Sequence, residues 1–282
     1  MPTSPPPATA DRRGNGEICD RRRGVSLGAL GYVLAGGAGC IAGAVNAVAG
    51  GGTLVSYPAL QALGLSPVRA NVTNIISLTP GYAAGTYTQR ADLEGQGART
   101  LKLGVFAAAG GLAGSVLLVL TSAQEFRDVV PFLILFSCGL LVVQDRLRAA
   151  VTRRQESVGA VPRPHHHPSA LMRAGVFLSA VYGGFFGAGL GIMLLAFLGL
   201  FSDDRLPRLN AVKQALSFVI GVVASAFLAF SGHVSWTFVA VMVPTSTVGG
   251  MAGGRVVHLV SPGVLRAVVV ALGLAVAVRY WV

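Results

Sequence analysis

The chain has 282 residues, 53% of them hydrophobic and only 12% charged, far below the roughly 25% charged that is usual in soluble domains. That balance excludes an ordinary water-soluble domain and suits a chain that crosses lipid many times. The net charge of +11 does not mark a nucleic-acid-binding protein, because Lys102 and Lys213 are the only lysines and the arginines are scattered over loops and tails.

Residues 1 to 24 are rich in proline and arginine, lack apolar periodicity and are expected to form a disordered tail. The run "DRRRGVSLGAL" has the positive start of a secretion signal but no cleavage site after it. The apolar stretch 26–48 is therefore read as a first spanning helix. Further apolar segments follow near 51–64, 70–89, 101–121 and 128–145. After a basic, histidine- and proline-rich linker, 146–169, a second series falls near 171–188, 190–202, 209–231, 235–255 and 263–281. The segments 51–64 and 190–202 are short of the roughly 17 residues needed to cross hydrocarbon and are expected to be partial or re-entrant. Cys19, Cys40 and Cys138 have no metal-ligand spacing. The run His165, His166 and His167 is read as part of a solvated linker, and no metal or cofactor is expected.

An offset of 139 residues aligns three separated stretches without a gap. "AGGG" at 49–52 meets "AGLG" at 188–191, "VRANVTN" at 68–74 meets "PRLNAVK" at 207–213, and "GGLAG" at 110–114 meets "GGMAG" at 249–253. The expected fold is an all-α polytopic membrane protein made of two repeats, 25–145 and 170–282. Each has about five hydrophobic segments, giving roughly 8–10 spans with some broken or re-entrant.

Basic residues in short loops mark the cytoplasmic side. Loops 145–173, 203–213 and 255–266 share that side when the uncharged "SGHVS" at 231–235 is external. Arg90, Arg99 and Lys102 join them when the first half is inserted upside down, so the repeats are expected to be inverted in a cell inner membrane. The arginine-rich amino terminus is then external, against the rule.

The stretch "NAVAGGGTLVSYPAL" at 46–60 places three glycines and a proline where a continuous helix would hold neither. In lipid a broken helix survives only when it is buried in protein or lines a watery cavity. Beyond the break a new helix begins, whose free amides and positive dipole end favour an anion. Paired breaks in two repeats are a pointer to a transporter's binding site. "GGLAG" and "GGMAG", by contrast, read as small-residue helix crossings.

The acidic residues point the same way. All eleven lie in the tail or loops, whereas cation carriers keep carboxylates at membrane depth. The candidate ligands for a small anionic solute are Asn46, Gly50, Gly51, Gly52, Thr53, Asn71, Asn74, Gly189, Gly191, Asn210 and Lys213. Two roles fit Lys213: reaching an internal cavity, or extending back to the interface. Arg69 and Arg208 occupy equivalent positions and suit anchoring at helix ends as well as binding. Asn71, Thr73 and Asn74 also suit capping.

"GCIAGAVNAVAGGGTLVSYPALQALGLSPVRANVTN" at 39–74 and "GFFGAGLGIMLLAFLGLF" at 184–201 resemble the TauE/SafE, or sulfite exporter, family of membrane permeases across nearly the whole chain past residue 24. The resemblance implies movement of sulfite, a sulfonate or another small sulfur-containing or organic anion across the inner membrane. The second half departs from the pattern, with "AGLG" in place of a glycine triplet and Phe185 where Asn46 stands in the first.

An intramembrane enzyme finds no support. The histidines form no H-E-x-x-H, and Thr53 rather than a lysine follows the glycine run. An anion channel remains an alternative, because pores also use helix ends and basic rings. A non-transporting scaffold leaves the paired breaks unexplained. The bilayer is the expected partner, and oligomerisation stays open.

Overall fold

The computed structural model describes residues 28–48, 50–158, 168–202, 204–256 and 262–280. The tail and the three histidines of the linker lie outside the described residues. Ten α-helices follow one another: α1 Ala29–Val48, α2 Thr53–Ala62, α3 Pro67–Thr88, α4 Gly97–Leu120, α5 Ala123–Val158, α6 Ala170–Phe185, α7 Leu190–Leu200, α8 Leu206–Leu228, α9 Trp236–Val256 and α10 Pro262–Arg279. Among the described residues four stretches are long and apolar enough to cross a membrane: α1, α4, Ala123–Ala150 within α5, and α8. Large side chains such as Leu30, Val33, Leu101 and Phe132 are exposed, as suits surfaces that face lipid tails rather than water.

Local chemistry sets the helix starts. Proline opens α3 and α8, where its missing amide is not needed. Ser169 caps α6, its Oγ accepting from the Met172 amide at 3.1 Å. The two short segments are helices of 10 and 11 residues, α2 and α7, and neither can cross alone. One boundary differs from the sequence reading. The helix expected to end at residue 145 runs on to Val158. Arginine, glutamine, glutamate and alanine are good helix formers, so the loss of apolar character at Asp145 does not end the helix.

The helices pack in an exchanged pattern. α1 lies along α9 and α6 lies along α4, while α3 packs on α8 and α9, and α8 on α3 and α4. Small residues allow the closest approaches. A Cβ on Gly249 would stand 2.0 Å from the Cys40 carbonyl of α1, and one on Gly114 would stand 2.0 Å from the Val181 carbonyl of α6. "GGLAG" and "GGMAG" are thus the crossing surfaces of α4 on α6 and of α9 on α1. Residue numbers rise together across both pairs, so each pair runs parallel. The broken segments are left at the centre, α2 against α1, α3 and α10, and α7 against α6, α8 and α5.

Overpacking a tight crossing costs about 1–3 kcal/mol. Gly249→Leu is therefore expected to lower the thermal midpoint of detergent-purified protein. Gly104→Ala in α4, with open space around its Cβ position, is expected to leave it unchanged or raise it. Equal midpoints for Gly249→Leu and the parent would contradict the crossing.

Candidate functional site

Each break is a sharp reversal built on glycine. After α1, Gly50 takes a left-handed backbone with φ +84°, open to glycine at little cost, and its amide donates to the Val45 carbonyl at 3.1 Å. Asn46 Oδ1 accepts from the Gly52 amide at 2.7 Å. The chain then folds back on α1, so closely that a Cβ on Gly52 would stand 2.1 Å from the Ala42 carbonyl. The second break turns through Gly187 and Gly189, both at positive φ, with the Gly187 amide donating to the Tyr182 carbonyl at 3.2 Å. α2 and α7 therefore both begin inside the protein.

The two reversals touch. A Cβ added to Gly50 would come within 2.5 Å of the Gly191 Cα, so backbone meets backbone where the segments cross. The Lys213 stem runs past the same point, with its Cδ 3.4 Å from a Cβ position on Gly191. The lysine is only 1% exposed. Its Nζ donates to the Asn46 carbonyl at 3.3 Å, and the side-chain nitrogen of Asn46 is itself buried with no partner among the described residues. Lys213 thus reaches inward rather than back to the interface. Among the described residues it forms no ion pair.

Not every candidate shares this centre. Thr53 and Asn74 do: Asn74 Nδ2 donates to Thr53 Oγ1 at 3.3 Å, and Ser56 Oγ donates to Asn74 Oδ1 at 2.5 Å. Gly51 packs on the Leu141 side chain, and Gly189 faces Leu140 and Ser137. Asn71 and Asn210 stand at the two ends instead. Asn71 Nδ2 donates to the Phe185 carbonyl at the end of α6 at 2.8 Å. Asn210 Nδ2 donates to the Ala47 carbonyl near the end of α1 at 3.2 Å and to Gln89 Oε1 at 2.6 Å. Each asparagine satisfies a carbonyl that its broken helix leaves open. Arg69 is exposed, while Arg208 donates to the Glu94 carbonyl at 2.7 Å, so both stand at helix ends in anchoring positions.

A cavity of about 1030 Å³ opens beside the end of α1, lined by Ala47, Val48, Arg90, Arg148, Leu195 and Asn210 among others. Arg148, which the sequence reading placed in a basic loop, is here a cavity residue on the continuing α5 and hydrogen-bonds the Val48 carbonyl. Its signal was helical phase: Leu141, Gln144 and Arg148 recur at spacings of three and four, and the first two are buried. A second cavity, of about 20 Å³, lies among Thr53, Asn74, Tyr82, Gly187, Ser217 and their neighbours. It has room for about one water molecule.

The sulfite exporter TauE/SafE family matches residues 35–280. The chain is 26% identical over 232 residues to the "Probable membrane transporter protein YfcA" of Escherichia coli (strain K12), a match covering 82% of each chain. It is 26% identical over 238 residues to a "Probable membrane transporter protein" of Haemophilus influenzae, covering 82% of this chain and 87% of the relative. It is 25% identical over 243 residues to the "Probable membrane transporter protein ORF9" of a Sinorhizobium species, covering 85% and 88%. No solved structure matches.

Leaving a buried acceptor without its donor costs about 1–3 kcal/mol. Asn71→Ala and Asn210→Ala are each expected to lower the thermal midpoint in detergent. A variant with an unchanged midpoint would remove that asparagine from its structural role.

Proposed function

This chain belongs to the sulfite exporter TauE/SafE family, and we propose that it carries a small anion through the centre where its two broken segments cross. It is a multi-pass membrane transporter by family, not an enzyme. The observation that carries the anion reading is Lys213. Several kcal/mol are needed to keep an unpaired ammonium out of water, and a passing anion supplies the missing countercharge. The amino-terminal ends of α2 and α7 add positive potential at the same place. The family's description supports a sulfite substrate, and a sulfonate carries the same sign of charge.

Two inverted repeats account for the packing. Exchanging α1 with α6, α3 with α8 and α4 with α9 turns the α1–α9 contact into α6–α4, and α3–α9 into α8–α4. The same exchange turns the Asn71 bond to the end of α6 into the Asn210 bond near the end of α1. On this reading eight helices cross the membrane and α2 and α7 are half-crossings. The large cavity opens toward the basic, cytoplasmic face, and the small central cavity interrupts the route. A carrier that rocks around a fixed site fits that arrangement better than a continuous pore.

Purified protein in proteoliposomes should be screened for flux of sulfite, sulfonates, sulfate and small carboxylates, with counterflow separating a carrier from a channel. Lys213→Met is expected to insert normally and to lower anion flux at least about tenfold, the equivalent of about 1.4 kcal/mol. Parental flux in Lys213→Met, or no flux of any anion in the parent, would overturn the proposal.

A further inference from the structure

We propose that the anion passes from the large cavity to the central one along the seam between α3 and α8, and that Gln214 and Ser217 ligate it there. This rests on the anion reading and adds the route and two binding residues to it.

The first argument is hydrogen-bond accounting. Gln214 is 0% and Ser217 1% exposed, yet among the described residues both polar atoms of the Gln214 amide and the Ser217 hydroxyl lack any partner. Buried polar groups are nearly always satisfied, and each one left bare costs about 1–3 kcal/mol. Two such residues one turn apart on one helix, directly beside the unpaired Lys213, form a concentrated cost with no structural return. A polar passenger would repay it.

The second argument is position. Along α8, Asn210, Gln214, Ser217 and Gly221 follow at spacings of four, three and four, which keeps them on one face. Asn210 lines the large cavity, and Ser217 and Gly221 line the small one. Facing them, α3 runs antiparallel: Gln89, just past its end, lines the large cavity, and Tyr82 and Leu78 line the small one. Gln214 therefore lies between the two spaces. Opposite it stands Gly85, where a Cβ would come within 2.1 Å of Gln214 Nε2. A glycine at that position leaves room for the amide inside the seam.

The third argument is chemistry. Gln214 Nε2 offers two N–H donors and Ser217 one O–H donor, and with the Lys213 ammonium these suit an oxyanion with several acceptor oxygens. Gln214 Oε1 asks for a donor, which a water travelling with the anion supplies. Thr53 and Asn74, the polar wall of the small cavity, receive the ion at the inner end.

Gln214→Leu and Ser217→Ala should be compared with the parent in proteoliposomes for sulfite counterflow, and in detergent for thermal midpoint. Leucine removes the bare amide while keeping an apolar side chain of similar size, so a midpoint equal to or above the parent's is expected, with flux at least about tenfold lower. Ser217→Ala removes a single hydroxyl and is expected to raise the KM for sulfite severalfold at an unchanged midpoint. Parental flux and KM in both variants would overturn the route while leaving anion transport standing, because the parent would still carry sulfite. Should Gln214→Leu fail to fold, the Ser217→Ala KM alone decides. A parent that moves neither sulfite nor any other tested anion would remove the anion reading, and this inference with it.

Discussion

The crossing of two backbones at Gly50 and Gly191 is the constraint on which the rest of the molecule depends. A helix cannot end inside a membrane without leaving carbonyls and amides that lipid cannot satisfy. Here α1 and α6 end inside the protein, and side chains serve the backbone groups left at each break. Asn46 Oδ1 takes the Gly52 amide, Asn71 serves the end of α6, and Asn210 serves the end of α1. Because Asn71 and Asn210 reach across from one half of the chain to the other, neither break is complete without the opposite half. The tight glycine contacts of α1 on α9 and α4 on α6 hold the halves close enough for those bonds to form.

Once the crossing is fixed, Lys213 becomes intelligible. Its stem lies against the glycine backbone of the second break, and its ammonium donates to the carbonyl of Asn46, a residue of the first. A lysine there for structure alone would be expected to have a carboxylate beside it. Asp204 is engaged elsewhere, paired with Arg99 and Arg208 ahead of α8. Among the described residues Lys213 forms no such pair, and that contrast is what the proposed anion passage draws on.

Much of this could be read from the sequence, and the rest fails to show for identifiable reasons. The reversals at 50–52 and 187–189 announce themselves because glycine runs and short apolar segments have few other uses in lipid. The tight crossings announce themselves through small residues at spacings of three and four. The inward reach of Lys213 was one of two open roles, since a long side chain near a helix start can point either way; only the position of α1 decides between them. Asn71 and Asn210 were grouped with the central ligands because sequence gives their depth along a helix but not which neighbour they face. Arg148 was hidden by its charged surroundings, although its helical phase was visible. The missing partners of Gln214 could not be read at all, because absence of a partner is a property of packing.

The two breaks differ in the chemistry around them. At the 139-residue offset of the sequence, Lys213 falls on Asn74 and Asn46 falls on Phe185. Asn74 is engaged by Thr53 and Ser56. Phe185 and its neighbour Phe186 pack on Phe126, and Phe186 also meets Tyr57 edge to face at 5.3 Å between ring centres. Aromatic rings therefore crowd the second break, where the Ser137 hydroxyl also donates to the Ala188 carbonyl at 2.9 Å. A carrier built from inverted repeats needs similar scaffolds so that its inward and outward forms have nearly equal energy. On the proposed carrier reading one cation at the crossing is enough, because a second unpaired ammonium at the position of Asn74 would add a further desolvation cost of several kcal/mol.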